Sequence, residues 1–528
     1  MPVAVPPLIT ALLDPARYPH PVDRVEMLQT HGAWVLLAGD RAYKIKKPVA
    51  LSFMDFSTLD KRRAACEAEL RVNSRFAPLD PASRIYLAAL PITGTPQAPV
   101  IGGDPAQAIE WAVQMRRFRE ADRLDHVAAR GELTPAMLQA LAQHLASFQA
   151  TATVAGSGSP WGRPDDVAGF ARDNLASLRS TLTDEADLRT VATLSDWTET
   201  YIRHLTPLLQ QRRAEGRVRE GHGDLHLANL VRLGGGVMAF DAIEFNDALR
   251  WIDVASDTAF TWMDLWHIGQ IGLAHVLLSE WLDVSGDVSA PAVLPFFAVY
   301  RALVRAKVAG IRWTQLDASP EQAALALEEV RTYLQLASRL AGLPPSLPAP
   351  TLVITHGLSG SGKTWASTRW LAAQADGRAI RLRSDVERKR LHGLAALATS
   401  GSGLNTGLYS AQAHGDTYAS LRSRAAELLG QGWRVIVDAA FLRQHERQAF
   451  ADLARAQGVP FAILACEAPV EVLRERIRAR QAAGSDASEA TLAVLDQQLG
   501  WAEPLTSTER ACASSPESFV SVQSYAPH

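Results

Sequence analysis

A glycine-rich segment in the last third of the chain has the spacing of a phosphate-binding loop, or P-loop. It matches the pattern GxxxxGK[ST] and stands between an apolar run, TLVITH, and a helix-forming segment. Its residues are Gly357, Leu358, Ser359, Gly360, Ser361, Gly362, Lys363 and Thr364. The glycines let successive N–H groups point at phosphate oxygens, the lysine can reach the β- and γ-phosphates, and the threonine can bind Mg²⁺. The segment therefore predicts a site for ATP and Mg²⁺.

Two aspartates close the next apolar runs of the same region. Asp385 follows RAIRLRS and Asp438 closes RVIVDA. Because ligands bind at the carboxyl ends of strands in open α/β sheets, we expect both carboxylates in the nucleotide cleft. Asp438 is predicted to hold Mg²⁺ and Asp385 to accept the proton of a substrate hydroxyl, with helix capping as the alternative for each.

Two later arginines are candidates for a lid over the phosphates. Arg476 and Arg480 are four residues apart, which puts them on the same face of a helix. Guanidinium groups closing over ATP would stabilise charge on the transferred phosphoryl group. The alternative is a basic helix face that only meets solvent.

A second polar cluster lies in the middle of the chain. Residues 222–229 read HGDLHLAN, and a short apolar run then leads to Asp241. Phosphoryl transfer by the protein-kinase logic needs a base for the attacking hydroxyl and two oxygen ligands for the metal. Asp224, Asn229 and Asp241 have the order and spacing for these three roles, and unrelated polar turns are the alternative.

The HGDxHxxN core with its later aspartate closely resembles the aminoglycoside phosphotransferase and choline kinase group. The resemblance implies that Asp224 accepts the proton of the substrate hydroxyl and that Asn229 and Asp241 bind Mg²⁺. It also implies a lysine on a strand for the α- and β-phosphates, a glutamate on a helix that holds this lysine, and a hinge segment against the nucleotide.

The sequence offers two candidates for the lysine and two for the glutamate. Lys44 and Lys46 share one face of a predicted strand, whereas Glu67 and Glu69 lie on different sides of a predicted helix. We select Lys44 and Glu69, and the other pair stays open. Met115, in VQMRRF, is the candidate hinge residue, with an ordinary core strand as the alternative.

Hydrophobic periodicity divides the chain into three structural regions. A strand hairpin, a helix and further short strands are followed by a mainly helical stretch that is interrupted near 217–247, and after a Pro-rich segment strands alternate with helices. The predicted fold is an α+β two-lobed kinase-like domain followed by an α/β P-loop domain with a mainly parallel sheet. The predicted ranges are an N-lobe at 1–120, a C-lobe at 121–342, a linker at 343–350, a P-loop domain at 351–505 and a mobile tail at 506–528.

The P-loop region resembles the small P-loop kinases, namely gluconate kinase, polynucleotide kinase and zeta-toxin-like enzymes, a group often labelled AAA. The sequence argues against a ring-forming AAA machine, because no additional helical domain follows the sheet and no sensor residue or arginine finger is evident. The order of the two regions resembles bacterial fusions of a phosphotransferase-like half with a P-loop half. The resemblance to the small P-loop kinases implies ATP, Mg²⁺ and a hydroxyl acceptor.

Composition limits the class of protein. The 528 residues carry a net charge of −3 and only three cysteines, and no stretch has the length and apolar character of a spanning helix. We therefore expect a cytoplasmic protein without a membrane partner, and nucleic acid is an improbable partner because no dense basic run is present. The sequence does not indicate the oligomeric state.

The predicted function is a bifunctional ATP-dependent kinase that acts on hydroxylated small molecules. In one alternative, a single catalytic half is regulated by a nucleotide-sensing second half. In another, the P-loop half phosphorylates a polynucleotide 5′-hydroxyl or a nucleotide sugar. The acceptor of either half depends on pocket shape, which residue spacing does not encode.

Overall fold

The computed structural model describes most of the chain. The described residues are 5–30, 32–51, 54–76, 84–315, 320–344, 347–396, 398, 408, 410–483 and 488–519. The chain divides into two compact units, the first formed by Met1–Leu133, Phe148–Phe170 and Ile202–Thr261, and the second by Thr134–Ser147, Ala171–Tyr201 and Trp262–His528. The central polar cluster lies in the first unit and the P-loop in the second.

The first unit begins with a six-stranded antiparallel sheet. Its strands are β1 (Val25–Gln29), β2 (Ala33–Ala38), β3 (Arg41–Lys46), β6 (Tyr86–Thr95), β7 (Ala98–Ile101) and β8 (Glu110–Arg116), in the order β1-β2-β3-β8-β6-β7. The predicted hairpin is confirmed, because Ala38 faces Arg41 across a two-residue turn. Gly39 in this turn has φ +58°, which glycine adopts without steric cost. The lysine strand β3 is therefore held between two neighbours.

Helix α2 (Leu59–Ser74) packs against β8 and β6. It begins at Thr58, whose side chain accepts a hydrogen bond from the N–H of Lys61. Its buried side includes Cys66 and Glu69. The first unit also contains helix α1 (Pro7–Ala11), helix α3 (Leu124–Ala129) and the two-residue strands β4 (Ala50–Leu51) and β5 (Met54–Asp55).

The predicted interruption of the helical region is confirmed. It contains β9 (Val218–Glu220), β10 (Leu230–Leu233), β11 (Gly236–Ala239), helix α7 (Asp247–Arg250) and β12 (Trp251–Asp253). Strand β9 pairs with β12, and β10 pairs with β11 as a hairpin. This hairpin stands between the HGDLHLAN segment and Asp241 and so brings the two ends of the polar cluster together.

Long helices make up the rest of the kinase-like region. They are α4 (Pro135–Thr151), α5 (Pro164–Thr181), α6 (Glu185–Ala214), α8 (Val254–His267), α9 (Ile271–Ser285), α10 (Ala290–Gln315) and α11 (Pro320–Leu340). Helices α10 and α11 pack against each other. None of the helices in the described part of the chain has the length and apolar composition to cross a membrane.

The P-loop region is a five-stranded parallel sheet with helices between its strands. The strands are β13 (Leu352–His356), β14 (Ala379–Arg383), β15 (Arg434–Asp438), β16 (Phe461–Ala465) and β17 (Ala513–Ser514), in the order β14-β15-β13-β16-β17. The helices are α12 (Lys363–Ala372), α13 (Ser384–Leu391), α14 (Ala411–Gly430), α15 (Gln444–Ala456), α16 (Val470–Ala483), α17 (Leu492–Trp501) and α18 (Ser507–Ala511). The predicted α/β fold with a mainly parallel sheet is thus confirmed.

The segment predicted as a mobile tail, 506–528, contains helix α18 and strand β17 in its described part, and residues 520–528 lie outside the described residues. Strand β17 extends the sheet, with Ala513 opposite Ile463. The buried guanidinium of Arg447 pairs with Glu509 at 2.7 Å and holds the preceding helix in place. The sequence did not indicate this short edge strand, because two residues are too few to show a periodic pattern in a Ser-rich segment.

Candidate active sites

A lysine–glutamate pair lies at the centre of the first unit. Lys44 Nζ is 2.8 Å from Glu69 Oε1 and 2.6 Å from Asp241 Oδ1. Burial lowers the pKa of the Lys44 ammonium, but the carboxylates of Asp241 and Glu69 outweigh it and raise the pKa well above its ordinary value. Lys44 is therefore a permanent positive charge, as an α/β-phosphate ligand must be. Its binding role stays a prediction.

The alternative lysine and glutamate occupy different environments. Glu67 is half-exposed and pairs with Arg63, which lies one turn earlier on α2. Lys46 is buried and contacts both Glu69, at 2.5 Å, and Glu244. Glu69 thus bridges both lysines, and burying two ammonium groups requires the carboxylates around them. The geometry favours Lys44 for the ligand position because Lys44, and not Lys46, contacts Asp241.

The HGDLHLAN segment brings the predicted base beside a predicted metal ligand. Asn229 Nδ2 donates to the Asp224 carboxylate at 3.1 Å and to its carbonyl oxygen at 2.9 Å. The Asp224 side chain is exposed enough to meet a substrate, and His226 Nε2 lies 3.4 Å from its Oδ2. Since the amide nitrogen of Asn229 is occupied, its Oδ1 is the atom that could face a cation.

The loop that carries Asp224 is held in place by hydrogen bonds with buried polar groups. The Asp257 carboxylate accepts hydrogen bonds from the N–H groups of His222, at 2.7 Å, and Gly223, at 2.9 Å. The N–H of Asp224 donates to His222 Nδ1, and Nε2 of the same ring donates to the Phe240 carbonyl. Burial lowers the pKa of His222, which keeps the ring in the neutral form that this pair of hydrogen bonds requires.

Asp241 lies at a strained backbone position. Its φ is +62°, a left-handed conformation that is uncommon outside glycine. The N–H of Asp241 donates to the Tyr86 hydroxyl at 3.0 Å, and the next N–H, of Ala242, donates to Asn73 Oδ1 at 2.9 Å. Burial raises the pKa of the Asp241 carboxyl, but Lys44 outweighs it and leaves the pKa below its ordinary value. Asp241 is therefore an ionised oxygen donor.

The donor set of this site suits Mg²⁺. Carboxylate and amide oxygens are its preferred protein ligands, and Mg²⁺ commonly binds one or two carboxylates together with phosphate oxygens of the substrate. Asp241 and Asn229 supply this chemistry. Within the described ranges no cluster of three or more His, Cys, Asp or Glu side chains forms a complete metal cage.

Met115 lies near the end of the central strand β8. It is opposite Ala42 on one side and Tyr86 on the other, and its half-buried side chain packs against the cluster that contains Trp111 and Val113. It is thus on the strand next to β3, two residues before Arg117, where β8 has ended. The predicted contact with the nucleotide stays a prediction.

The P-loop of the second unit adopts a conformation that requires its glycines. Gly357, Gly360 and Gly362 have φ of +151°, +83° and +89°. A Cβ on Gly357 would lie 2.2 Å from the Cys466 carbonyl oxygen. Ser361 Oγ is buried and has no hydrogen-bond partner among the described residues, an arrangement that suits a phosphate oxygen.

The other loop residues are anchored by their neighbours. The N–H of Ser359 donates to Gln498 at 2.8 Å, and Leu358 packs against the apolar cluster of α16 and α17. Lys363 Nζ donates to the loop carbonyls of Gly357 and Leu358 at 2.9 and 2.8 Å. Burial lowers the pKa of the Lys363 ammonium, although Asp438 opposes the shift. The ammonium is thus positioned inside the turn that would receive the phosphates.

Both predicted aspartates face the same cavity as the P-loop. This cavity has a volume of about 880 Å³, and Lys363, Thr364, Asp385 and Asp438 all contribute to its wall. Asp438 ends β15 and accepts a hydrogen bond from Ser367 at 3.2 Å. A strand end, rather than a helix cap, is therefore its position. Thr364 and Asp438 line the same cavity, and a hydroxyl together with a carboxylate is a donor set that suits Mg²⁺.

Asp385 lies in the first turn of α13, where Arg383 is the N-cap residue and lacks a capping side-chain bond. Its carboxylate is 2.9 Å from Arg388 Nη1. Burial raises the pKa of this carboxyl, but Arg388 and Arg383 outweigh burial, and the net pKa is below the ordinary value. Asp385 is therefore ionised at neutral pH and able to accept a proton.

The predicted lid arginines also line this cavity. Arg476 and Arg480 project from α16, and Arg476 Nη1 lies 3.4 Å from the Gly360 carbonyl oxygen. Arg480 donates to the Ala490 carbonyl oxygen at 2.9 Å. The cavity is also lined by polar and aromatic groups that sequence reasoning missed. These are His414, Tyr418, Arg443, Glu446 and Trp501.

Known proteins match either most of the chain or one part of it. Residues 352–505 match the family model of an AAA domain, which agrees with the resemblance to small P-loop proteins that are often labelled AAA. The uncharacterized protein Rv2004c of Mycobacterium tuberculosis is 30% identical over 490 residues, which cover 91% of this chain and 92% of that protein. This chain belongs to the same family. The uncharacterized protein Mb2027c of Mycobacterium bovis matches with the same identity and coverage.

Solved structures similar to the chain fall into two groups. In the first group, an amicoumacin kinase bound to AMP-PNP matches this chain with 15% identity and a TM-score of 0.38. The match covers 62% of this chain and 92% of the amicoumacin kinase. A choline/ethanolamine kinase family protein from Mesorhizobium loti covers 61% of this chain and 94% of its own, with 14% identity and a TM-score of 0.35. In the second group, the APS kinase of Mycobacterium tuberculosis covers 34% of this chain and 97% of its own, with 20% identity and a TM-score of 0.25.

Proposed function

We propose that the chain is an ATP-dependent phosphotransferase with two catalytic centres, each of which transfers the γ-phosphoryl group to a hydroxyl group of a small molecule. One observation supports this above the others. In each unit a lysine and two carboxylates from distant stretches of chain converge: Lys44 with Glu69 and Asp241, and Lys363 with Asp385 and Asp438. Such convergence provides the positioning and charge neutralisation on which phosphoryl transfer depends.

At the first centre, Asp224 accepts the proton of the acceptor hydroxyl as its oxygen forms a bond to the γ-phosphorus. The bond from this phosphorus to the bridging oxygen breaks, and ADP leaves. Lys44, held by Glu69, binds the α- and β-phosphates, and Asn229 and Asp241 hold Mg²⁺, which when bound neutralises phosphate charge. Met115 contacts the nucleotide base at the hinge.

At the second centre the same bonds form and break, with Asp385 as the proton acceptor. The loop N–H groups and Lys363 bind the phosphates, and Thr364 and Asp438 hold Mg²⁺. Arg476 and Arg480 close over the transferred group and stabilise its charge. The acceptor enters from the side lined by Tyr418 and Trp501.

The proposal can be tested by assigning each acceptor to a centre. Wild-type protein, Asp224→Asn and Lys363→Ala are incubated with labelled ATP and panels of sugars, aminoglycosides and nucleosides. We expect each variant to lose one set of labelled products, by ~10²–10⁴-fold, and to keep the other. Glu67→Gln on α2 and Arg474→Ala on α16 are matched controls, since each changes a neighbouring surface ion pair.

Other outcomes would support different functions. Loss of every product in both variants would favour one catalytic half regulated by a nucleotide-sensing half. Salt-dependent binding of single-stranded nucleic acid at the second unit would favour a polynucleotide 5′-hydroxyl acceptor. Absence of ATP binding to the intact protein by calorimetry would reject the proposal as a whole.

A further inference from the structure

Helix α9 covers the edge of the P-loop sheet. Strand β14 is the outermost strand of that sheet, so one row of its backbone groups has no partner strand. The N–H of Arg381 on this strand donates instead to Ser279 Oγ of α9 at 3.1 Å. Ser279 is fully buried. The helix therefore takes the place of a neighbouring strand along this edge.

The same helix meets the helix that follows the P-loop at backbone distance. A Cβ added to Gly272 of α9 would lie 2.0 Å from the carbonyl oxygen of Ala372 at the end of α12. No side chain fits into this gap, so the two helices are in direct backbone contact. Helix α9 lies outside residues 352–505, which are the part that the AAA family model matches.

The Arg381 side chain joins these elements. It is 2% exposed, and its Nη2 lies 3.1 Å from Asp283 Oδ2 and 3.5 Å from Glu280 Oε2, both on α9. Its Nη1 donates to Thr368 Oγ1 of α12 at 2.8 Å. Gln143 donates to the other oxygen of Glu280 at 2.8 Å. A buried guanidinium with this many partners holds one geometry, since losing any partner leaves a desolvated charge.

The contacts of Arg381 lead to proposed site residues in two directions. Thr368 Oγ1 donates to the carbonyl oxygen of Thr364, the proposed Mg²⁺ ligand, at 2.8 Å. In the other direction, β14 ends at Arg383, whose Nε is 4.0 Å from Asp438. Asp385 follows in the first turn of α13. Arg381 is thus one hydrogen-bonded step from the P-loop helix and four residues from the proposed base.

We propose that Arg381 is a positioning residue for the P-loop centre, through which helix α9 fixes the P-loop helix α12 and strand β14, which leads to Asp385, relative to each other. This inference rests on the proposed function of the second centre. It makes a helix outside the ATP-binding sequence motif a required part of the ATP site. Arg381 itself touches neither ATP nor acceptor.

The test measures the second centre alone, in full-length Asp224→Asn protein. The variants are Arg381→Lys, Glu280→Gln and Asp283→Asn, and the readouts are kcat and KM for ATP turnover, the Kd for ATP and the Tm. Glu280→Gln and Asp283→Asn alter α9 without altering any residue of the P-loop region. Arg455→Met, an exposed arginine on α15, is the control.

We expect Arg381→Lys, which keeps the charge but loses the planar fork, to lower kcat about tenfold or more at a temperature where its Tm shows the variant to be fully folded. The two α9 variants should also lower kcat, whereas Arg455→Met should leave kcat unchanged. A lowered Tm with unchanged kcat in all three variants would show a merely structural role and overturn the inference. The proposed function fails separately, if ATP turnover in the Asp224→Asn protein is insensitive to Lys363→Ala.

Discussion

At the scale of single residues, Glu69 shows how one buried carboxylate can organise a site. Its two oxygens contact two different lysines, and the side chain is fully buried. Burial raises the pKa of this carboxyl, but Lys44 and Lys46 outweigh it and the net pKa is lowered. Without the carboxylate, two ammonium groups would remain in a desolvated position.

Replacing Glu69 should therefore impair both stability and transfer at the first centre. We expect Glu69→Gln to lower the free energy of unfolding by ~1.5–3 kcal/mol, because both lysines lose a buried charged partner while Asp241 and Glu244 remain. Glu67→Gln, two residues away on α2, should lie within ~0.5 kcal/mol of wild type. Urea unfolding and labelled-ATP assays measure the two effects. Equal stability of the two variants would contradict this view of Glu69.

At the scale of elements, α13 is tied to α14 through one glutamate. Glu387 of α13 is 1% exposed on its side chain, and Arg424 of α14 is 2.5 Å from its Oε2. Arg390 is 2.6 Å from Oε1, and Ser420 also donates to this oxygen. Burial raises the pKa of the Glu387 carboxyl, but these donors outweigh it and lower the pKa to about 2.

This shift predicts a loss of stability in acid. A carboxyl whose pKa is lower in the folded state than in the unfolded state stabilises the fold above the unfolded pKa, and the contribution disappears as pH falls towards the folded pKa. The window here is between about pH 4.5 and pH 2, and the full contribution is ~3 kcal/mol. Wild type should be more stable than Glu387→Gln at pH 6, and this difference should shrink as pH approaches 3. Urea unfolding followed by circular dichroism at several pH values measures it, and a difference independent of pH would contradict the assignment.

At the scale of the whole molecule, the second compact unit does not begin after the Pro-rich linker predicted at 343–350, but includes earlier residues. It includes helices from Trp262 onward, because α9 packs on β14 and α12. Apolar packing reinforces the polar network, with the Trp262 and Trp433 ring centroids 6.4 Å apart. The Pro-rich stretch therefore marks a change of sequence composition inside a packed unit.

A fragment that begins at residue 351 should accordingly be defective. Without α9, Arg381 loses both carboxylates and the outer edge of β14 becomes exposed, a situation that favours edge-to-edge association. We expect the fragment 351–528 to associate and to bind ATP more weakly than the full chain. Light scattering and calorimetry measure these properties. A monomeric fragment with the ATP affinity of the full chain would contradict the expectation.

The sequence was informative where chemistry demands fixed spacing. The P-loop, the HGDLHLAN segment and the alternation of strands and helices are local patterns, and the fold predicted from them agrees with the structure. The residues that support the site were not predictable in the same way. Tyr86 contacts Asp241, 155 positions away, and Arg381 contacts Asp283, 98 positions away, so no local pattern marks either residue. Asn73 was within reach, since it lies one helical turn after Glu69.

The short strand β17 has a consequence for local opening of the P-loop sheet. It pairs with β16 through two residue pairs, Ile463 with Ala513 and Leu464 with Ser514. Segments held by few backbone hydrogen bonds open at a lower free energy than the middle of a sheet. The amide hydrogen of Ile463, which donates to the Cys512 carbonyl oxygen, should therefore exchange with deuterium faster than the amide hydrogens of β13, which lies between two strands.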